Sequence, residues 1–402
     1  MLPRDVSKVT MEDLQRLIEA RVPEGQTMEY KVSIELNRDS TKEEFLCDIS
    51  SFANTAGGWI IFGIQEENTC PVDIPGVQVD NLDSLRQTID NLLRDGFEPR
   101  IPGVSIGSVR VSGTEERYAI VLYIPKSYCG PHMVTFKGNR KFYARNNSGK
   151  YPMSVDELRL AFVFSEAFAE KARAFRKERI ATIFADEAPL PLLDSPPFWF
   201  IMHLIPYGAF SPGRNYNAEQ LQNLARSCSL EPFYSSGWNE SFNADGFLLY
   251  SQAQGKVYSY LQLFRNGIIE AVTKAFCHVQ KLCIFIDTLE YAVLEKFPKC
   301  CSFLQQLGVE PPIAVFLTFF GIRGYRLARL EIPYSTLELL GDNPFPRDVL
   351  FVPEIVLEKY ENLSPSDLDA FFKPSFDIIW NAFGFPKSRN YDENGKRIRR
   401  GK

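Results

Sequence analysis

The chain has 402 residues, more than a single hydrophobic core usually organises, so its length predicts two domains or slightly more. Hydrophobic residues make up 45% and charged residues 24%, the composition of an ordinary globular protein. The net charge of −5 excludes a protein that is basic throughout, although a local basic stripe is enough to contact phosphates. No apolar run reaches the about 18 residues of a membrane helix, and the first residues lack the apolar segment of a signal peptide. We therefore expect a soluble, cytoplasmic protein without a membrane partner.

The predicted elements begin with a short helix, which a capping box of Thr10 and Asp13 starts. Residues 26–33 alternate, with Glu29 and Lys31 on the polar face, which is typical of a half-buried strand. The elements that follow are a helix over 42–54 ending at Gly57-Gly58, a buried strand over 59–64, a helix over 82–93, strands over 104–111 and 117–124 joined by a turn at Gly113-Thr114, and a hairpin of strands 133–136 and 141–145.

The later part of the chain opens with a second capping box, Ser154 with Glu157, and a long helix. Mixed charges over 166–179 predict a solvated face of this helix, and a proline-rich segment then marks a domain boundary. A helix pair is predicted over 364–385, and the basic tail 396–402 ends the sequence. The fold class is therefore α+β. The predicted segments are an N-terminal domain over 1–152, a connecting helix over 153–186, a second mixed α/β domain of unknown role over 187–360, and C-terminal helices with the basic tail over 361–402.

Eight cysteines and three histidines are spread along the chain, without a C-x-x-C pair or zinc-finger spacing, so we expect no zinc. Cys277, His278 and Cys283 come nearest to a metal cluster, but small buried thiols in a reducing compartment explain these cysteines more simply. His203 lies inside the apolar run 198–206, which predicts a histidine of the core.

Acidic side chains are expected to gather at one edge of the N-terminal sheet. Glu29 and Lys31 share a strand face, Glu24 lies five residues before Glu29, and Glu66 follows the strand 59–64. Carboxylates at a sheet edge suit Mg²⁺ or Mn²⁺, which activates a nucleophile on a phosphodiester, and a neighbouring lysine stabilises the charge that develops. Glu-x-Lys alone is also what a solvated strand face shows, so this pattern leaves both interpretations open.

The run Ala53-Asn-Thr-Ala-Gly-Gly58 lies between these acids and makes the pattern specific. A helix ending in Phe-Ala-Asn-Thr-x-Gly-Gly, a strand ending in Phe-Gly-Ile-x-Glu66, and a preceding Glu-x-Lys resemble the Schlafen AlbA-like domain of bacterial and vertebrate proteins. The resemblance extends loosely to Phe142-Tyr-Ala-Arg145 and implies a mixed sheet with flanking helices. The glycine pair also serves simply to end a helix, and Asn54 to cap the turn. Because G-x-x-x-x-G-K-[ST] is missing, nucleotide hydrolysis is not expected.

Three acids are catalytic in the nuclease members of this family, and by position the resemblance implies that Glu24, Glu29 and Glu66 bind one or two divalent ions, Mg²⁺ or Mn²⁺. Lys31 is the implied catalytic lysine at the phosphate. Glu66 departs from the family, which commonly has aspartate there. The zinc cluster of the vertebrate proteins is missing. Those proteins pair two related lobes into a clamp, whereas this sequence has one copy of the motif. The resemblance therefore implies that a homodimer or residues 198–353 supply the second lobe.

A basic stretch over 127–150 is a second candidate for nucleic-acid contact, because it contains five positive residues and no acid. We expect Lys137, Arg140, Lys141 and Arg145 to bind phosphates. A basic edge strand that prevents edge-to-edge pairing gives the same pattern.

The resemblance and the basic stretch together predict a metal-dependent endoribonuclease of Schlafen type that acts on structured RNA such as tRNA, in antiviral defence or stress. RNA is favoured over DNA as the partner. The alternative is a non-catalytic DNA- or RNA-binding regulator. A third interpretation makes the second half of the chain an interaction or sensing domain that controls the first.

Overall fold

The computed structural model describes residues 2–3, 6–111, 116–211, 213–235, 237–331, 336–360, 363–392 and 395–398. The predicted turn at Gly113-Thr114 and the end of the basic tail, 399–402, lie outside these residues. Two compact units divide the chain, Met1–Phe168 and Ala169–Lys402. The described part of the chain contains no helix that is both long enough and apolar enough to span a bilayer.

Helices and strands alternate irregularly along both units, as expected for an α+β protein. The α-helices of the described residues are α1 (Met11–Glu19), α2 (Asp39–Ala53), α3 (Leu82–Asp95), α4 (Val155–Phe184), α5 (Ala218–Ser227), α6 (Ile286–Gln306) and α7 (Pro365–Ala382). The strands are β1 (Met28–Lys31), β2 (Gly58–Phe62), β3 (Gln65–Glu67), β4 (Cys70–Asp73), β5 (Val77–Gln78), β6 (Phe97–Glu98), β7 (Ser105–Arg110), β8 (Arg117–Ile124), β9 (Met133–Val134), β10 (Lys141–Asn146), β11 (Gly149–Pro152), β12 (Trp199–Pro206), β13 (Asn239–Asn243), β14 (Gly246–Ala253), β15 (Lys256–Phe264), β16 (Ile269–Thr273), β17 (Cys277–His278), β18 (Cys283–Phe285), β19 (Ile313–Phe320), β20 (Arg326–Glu331), β21 (Thr336–Leu340), β22 (Val349–Phe351) and β23 (Ile355–Leu357).

The first unit is built on a mixed sheet of order β1-β2-β8-β5, with β7 also paired to β8. β1 runs parallel to β2, whereas β2 and β8 are antiparallel. β2 lies between two strands and has helices over both faces, so all five of its residues are buried. β1 alternates as predicted, with Met28 and Tyr30 buried and Glu29 and Lys31 half-buried. Val32, predicted on the buried face, lies beyond the end of β1 and is exposed.

Apolar side chains cover the two faces of this sheet in separate clusters. Leu14 and Leu17 of α1 pack on one face with Tyr30, and Phe45 and Phe52 of α2 pack on the other. The predicted capping box of α1 forms, because the Thr10 hydroxyl accepts from the Asp13 amide and the Asp13 carboxylate accepts from the Thr10 amide. A second sheet, β11-β10-β9-β6, completes the unit beside α2.

The second unit contains an eight-stranded sheet of order β13-β14-β15-β16-β12-β19-β22, in which β23 also pairs with β19. A smaller sheet has the order β17-β18-β20-β21. The predicted helix pair over 364–385 is instead the single helix α7, which continues through Pro374. Phe372 and Trp380 of α7 are buried in the main core, so the C-terminal helix belongs to the second unit and is not a separate segment.

Most of the mixed-charge face of α4 is exposed as predicted, but two of its arginines are not solvated. Arg176 is buried, and Arg179 donates two hydrogen bonds of 2.9 Å to the fully buried Glu270. His203 Nε2 and the Tyr260 hydroxyl also contact the Glu270 carboxylate, at 3.0 Å and 2.9 Å. This pairing confirms that His203 is a core histidine. Burial alone would raise the pKa of Glu270, but these hydrogen bonds and charges lower it to about 2.

Candidate functional site

Glu29 is the centre of a cluster of charged side chains at the edge of the first sheet. Lys31 Nζ lies 3.0 Å from Glu29 Oε1, as expected for two residues on the same face of β1. Arg145 Nη1 donates to Glu29 Oε2 across 2.7 Å, from β10 of the second sheet. Burial would raise the pKa of Glu29, but the charges of Lys31 and Arg145 outweigh it and lower the pKa. Glu29 is therefore held ionised, with both of its oxygens bonded to cations.

Asp48 joins this cluster from α2, although the sequence analysis did not select it. Its carboxylate lies 3.0 Å from Lys31 Nζ and pairs with Lys150 Nζ through its other oxygen. Its side chain is only 4% exposed, and burial next to Glu29 raises its pKa against the opposing effect of the two lysines. Asp48 shares a helix face with Phe45 and Phe52, so an acid on an apolar stripe was the sequence signal that would have found it.

Glu24 lies beside the cluster in the loop before β1. Its Oε1 accepts a hydrogen bond of 2.7 Å from the backbone amide of Tyr30. Burial raises the pKa of Glu24, and the negative charges of Glu29 and Glu66 raise it further. The three predicted acids are thus close enough to influence one another electrostatically. A partly buried carboxylate with a raised pKa is a candidate for proton transfer.

Glu66 lies on the short exposed strand β3, where a bulge interrupts the pairing with β4. Its carboxylate accepts a hydrogen bond of 2.8 Å from the Thr69 amide, and the Thr69 carbonyl accepts one of 2.7 Å from the Glu24 amide. Thr69 therefore links the turn that carries Glu66 to the loop that carries Glu24. Glu66 stands where the family commonly has aspartate. In this chain its carboxylate folds back and bonds the turn that carries it.

The three glutamates do not form a compact ligand set for a metal ion. Within the described ranges, no group of three or more histidine, cysteine, aspartate and glutamate side chains is placed to hold an ion. Both oxygens of Glu29 are bonded to Lys31 and Arg145, so a metal at Glu29 would have to displace a cation. The residues as they are arranged do not fit the Mg²⁺ or Mn²⁺ that the resemblance implies, and Mn²⁺ coordination by Glu24, Glu29 and Glu66 stays a prediction.

The basic stretch divides into an exposed group and a buried residue. Lys137, Arg140 and Lys141 are exposed, although Lys137 lies 3.3 Å from Asp39 of α2. The prediction that Arg145 contacts nucleic acid needs correction, because its side chain is only 3% exposed. Arg145 also donates to the Gly25 carbonyl at 3.0 Å, and its guanidinium lies 3.7 Å from the centre of the Phe52 ring. The run of positive residues over 127–150 predicted Arg145 to contact phosphates, whereas the fold turns it inward onto Glu29.

The motif between the acids serves to join α2 to the second sheet. Asn54 Nδ2 donates to the carbonyls of His132 and Tyr143, and Asn54 Oδ1 accepts from the His132 amide at 2.7 Å. The Thr55 hydroxyl accepts from the backbone amide of Arg145 at 3.0 Å. The capping interpretation predicted side-chain bonds within the turn, whereas the Asn54 side chain bonds the distant backbone of His132 and Tyr143. Thr55 fixes the strand position from which Arg145 reaches Glu29.

A cleft opens beside the charged cluster, with a volume of about 230 Å³. Lys31 and Asp48 of the charged cluster line this cleft, together with the apolar side chains of Phe45 and Phe62. The remaining lining residues are Ser33, Ile34, Glu35, Leu36, Thr41 and Glu44. Two members of the cluster, Lys31 and Asp48, therefore border a space that a ligand can enter.

Residues 24–154 match the family model described as Schlafen, AlbA_2. No curated protein matches the chain. Among solved structures, the DIP2311 protein from Corynebacterium diphtheriae is similar, with 14% sequence identity and a TM-score of 0.25 over 77% of this chain. The match spans 56% of that protein's chain, so this chain covers little more than half of its length. The domain match confirms the resemblance found in the sequence: residues 24–154 form a Schlafen AlbA_2 domain, which supports a nucleic-acid-related function for the first unit.

Proposed function

We propose that the first unit is an endoribonuclease that acts on structured RNA such as tRNA. The observation that supports this most strongly is the cluster of Glu29, Lys31 and Arg145 within the matched domain, with Glu24 next to it. A fixed cation beside a carboxylate of raised pKa is an arrangement that can assist phosphodiester cleavage.

Each of these side chains has a distinct role in the proposed reaction. Glu24 accepts the proton of the attacking hydroxyl or water, since its pKa is raised whereas the pKa of Glu29 is lowered. Lys31 stays protonated, because the carboxylates of Asp48 and Glu29 outweigh burial and raise its pKa, and it stabilises the negative charge that develops on the phosphate. Glu29 holds Lys31 in place through its 3.0 Å contact.

The assay varies Mg²⁺ and Mn²⁺, but no step of the proposed reaction is assigned to a divalent ion, because the glutamates among the described residues do not fit one as they are arranged. The roles given above to Glu24, Glu29 and Lys31 involve only the chain's own groups.

Structured RNA is the favoured substrate because RNA duplexes are recognised through backbone and shape. Lys137, Arg140 and Lys141 are exposed on one hairpin region and suit phosphate contacts of this kind. A cytoplasmic role in antiviral defence or stress, and a homodimer that supplies a second lobe, extend this proposal from the resemblance alone.

The test is cleavage of total tRNA by the purified full chain in Mn²⁺, in Mg²⁺ and in EDTA. We expect cleavage products in at least one metal and about a hundredfold less product from Glu29→Gln, since general acid–base and electrostatic effects are each worth about that much. Glu19→Gln, at an exposed position of α1, is the matched control and should cleave like the natural chain. Equal cleavage by Glu29→Gln and Glu19→Gln would refute the role of Glu29 in holding Lys31 for the reaction.

A second candidate function is a DNA- or RNA-binding regulator without catalysis. The observation that favours it is that both carboxylate oxygens of Glu29 are bonded to Lys31 and Arg145. Neither oxygen is therefore free to bind a metal ion in this arrangement. This function predicts salt-sensitive binding that Glu29→Gln leaves unchanged or strengthens, because a carboxylate repels phosphates. Tight binding of RNA or duplex DNA with no cleavage in any metal would favour the regulator.

A further inference from the structure

β13 is the outermost strand of the eight-stranded sheet of the second unit, and among the described residues it pairs with β14 alone. An outermost strand leaves alternate N–H and C=O groups without a ladder partner, and proteins commonly protect such an edge with a lysine, a proline or a bulge. β13 reads Asn-Glu-Ser-Phe-Asn and keeps one regular register with β14, so it carries none of these three protections. The edge of β13 is therefore accessible to a further strand.

Two large aromatic side chains lie exposed along this edge. Phe242 of β13 is 51% exposed, and Trp238, one residue before the strand, is 43% exposed. The other tryptophans of the chain are buried, namely Trp59, Trp199 and Trp380. Because side chains alternate along an extended segment, we expect Trp238 and Phe242 on the same face of the sheet as Glu240. A strand edge with exposed aromatic rings is the kind of surface that a protein partner covers.

A groove with a volume of about 570 Å³ adjoins Phe242, which lines it together with Tyr216 and Arg265. Arg265 Nε donates to the Ala244 carbonyl at 3.1 Å, so the turn that follows β13 borders the groove. Glu219 also lines the groove and balances the charge of Arg265, which favours an uncharged ligand over an anion. Aromatic walls and a guanidinium suit a flat aromatic ring, which can stack on both.

The sequence of β13 is complementary to itself in an antiparallel pairing about a two-fold axis at Ser241. In that register Ser241 faces its own counterpart, and the flanking pairs are Glu240 with Phe242 and Asn239 with Asn243. Like charges directly opposite one another would destabilise such a pair, and this register brings none together. A second copy of the chain therefore fits the edge of β13 without repulsion.

Glu240, the single charged residue of β13, already has partners on α5 of its own chain. Arg226 Nε donates to its carboxylate at 3.1 Å, and Gln222 Nε2 donates at 2.9 Å. Covering the edge of β13 therefore does not leave an unpaired carboxylate away from water, which would be costly.

The same register sets Trp238 opposite Ala244 of the second copy, because each lies three residues from Ser241. Ala244 borders the groove, and the indole is expected on the face of the sheet that carries the groove. By two-fold symmetry, each groove receives one tryptophan. A second copy thus accounts for the unprotected edge, the exposed tryptophan and the groove together, whereas an unrelated extended peptide would account only for the edge.

We propose that β13 pairs antiparallel with β13 of a second copy about Ser241, which joins two eight-stranded sheets into one, and that Trp238 of each copy inserts into the groove of the other. The partner that this surface fits is an identical chain. The inference concerns the second unit and does not rest on the proposed endoribonuclease activity of the first.

Sedimentation velocity of the full chain from about 1 to about 100 µM measures the association, since an interface of modest size is expected to dissociate in that range. The average mass should rise with concentration from 45.9 kDa toward twice that value. Ser241→Lys places like charges opposite each other at the two-fold axis and should keep the chain monomeric throughout. Ser84→Lys, at an exposed position of α3, is the matched control and should associate like the natural chain.

Tryptophan fluorescence gives an independent measurement, because Trp238 is the exposed member of the four tryptophans. Its emission should shift to shorter wavelength as the concentration rises and the indole leaves water. Trp238→Ala should abolish this shift and raise the dissociation constant about tenfold or more, as expected for a tryptophan that anchors an interface. Tyr291→Ala, which removes an exposed aromatic ring from α6, is the matched control and should change neither.

Ser241→Cys tests the register directly and changes little else in the strand. Opposed residues of an antiparallel pair have Cα atoms about 4.5 to 5.5 Å apart, which a disulfide can bridge. Mild oxidation of this variant should give a covalent dimer on a non-reducing gel, whereas Ser84→Cys and the natural chain with its native cysteines should give only background. The variant also keeps the proposal testable if thermal melting shows that Ser241→Lys does not fold.

Three results would overturn the proposal. A chain that stays at 45.9 kDa at every concentration would show that no second copy occupies the edge. A dimer that Ser241→Lys and Trp238→Ala leave intact would place the interface elsewhere, and cross-linking of Ser241→Cys no stronger than that of Ser84→Cys would exclude the register about Ser241. None of these results bears on tRNA cleavage, so this proposal and the proposed function fail separately.

Discussion

Arg145 donates to Glu29 across 2.7 Å although 116 residues separate them in sequence. The contact joins β10 of one sheet to β1 of the other, and α2 lies between them with Phe52 under the guanidinium. This hydrogen bond fixes the position of the Glu29 carboxylate, which belongs to the Glu-x-Lys pattern. The ion pair therefore connects the stability of the first unit directly to the geometry of its candidate site.

Loss of Arg145 should destabilise the first unit. Arg145→Met leaves the half-buried Glu29 with Lys31 as its cationic partner, and breaking a buried pair costs about 3 kcal/mol or somewhat more. We expect a drop of that size in the free energy of unfolding, measured by urea titration. Lys141→Met, an exposed position on the same strand, should change it by less than about 0.5 kcal/mol. Comparable stability of the two variants would show that the ion pair contributes little.

His132 should make the first unit sensitive to acid. Burial lowers its pKa to about 4, and the neutral ring donates from Nδ1 to the Pro99 carbonyl at 2.8 Å and contacts the Ser127 hydroxyl at 2.6 Å. Because the folded pKa lies below the ordinary 6.5, the unfolded chain binds the proton first as the pH falls. The contribution of His132 is complete above pH 6.5 and is lost on acidification toward pH 4.

Unfolding of the natural chain and of His132→Gln at pH 7 and at pH 4.5 measures this effect. The natural chain should lose about 2 to 3 kcal/mol more than the variant over this interval, from the linkage value of about 1.4 kcal/mol per pKa unit. The carboxylates of the molecule titrate in both proteins, so the difference isolates the histidine. Parallel pH profiles for the two chains would rule out a buried, neutral His132.

Local patterns in the sequence predicted the elements that carry the candidate site. The alternation over 26–33 gave β1, and the apolar run 59–64 gave β2, because buried faces impose a period that is visible in the sequence. The capping boxes at Thr10 and Ser154 formed as predicted, since they depend only on residues three positions apart.

Long-range pairing was not visible in those patterns. Arg145 was assigned to a basic surface, because a hairpin sequence does not show which side chain a distant sheet will cover. Asp48 was passed over, because it lies within the apolar stripe of α2 and its two lysine partners come from β1 and β11. Arg179 looked solvated for the same reason, since Glu270 lies 91 residues further along the chain. Ion pairs between distant elements are set by tertiary packing and not by local periodicity.

Gly58 should be intolerant of any side chain. Its φ is +151°, and a Cβ at this position would lie 2.3 Å from the Thr27 carbonyl oxygen, where β1 and β2 begin to pair. Gly58→Ala should therefore cost about 2 kcal/mol or more, as expected for a side chain forced into a disfavoured conformation against backbone. Gly25→Ala is the control, because its added Cβ would meet only an ordinary contact at 3.7 Å. Urea titrations that show the same small loss for both would contradict a close approach of the two strands at Gly58.

Glu270 should be among the most sensitive positions of the second unit. Glu270→Gln removes the negative charge that pairs with Arg179. The same buried carboxylate also accepts hydrogen bonds from His203 and Tyr260. An amide in its place leaves a guanidinium uncompensated, so the free energy of unfolding should fall by about 3 to 5 kcal/mol at pH 7. Glu178→Gln on the exposed side of α4 makes the same chemical change in solvent and should fall within about 0.5 kcal/mol of the natural chain.

Because the pKa of Glu270 is about 2, the difference between the natural chain and Glu270→Gln should persist down to about pH 4.5 and shrink as the pH falls through 2. A difference that disappears already at pH 5 would mean that Glu270 is protonated in the folded protein, contrary to its four hydrogen bonds.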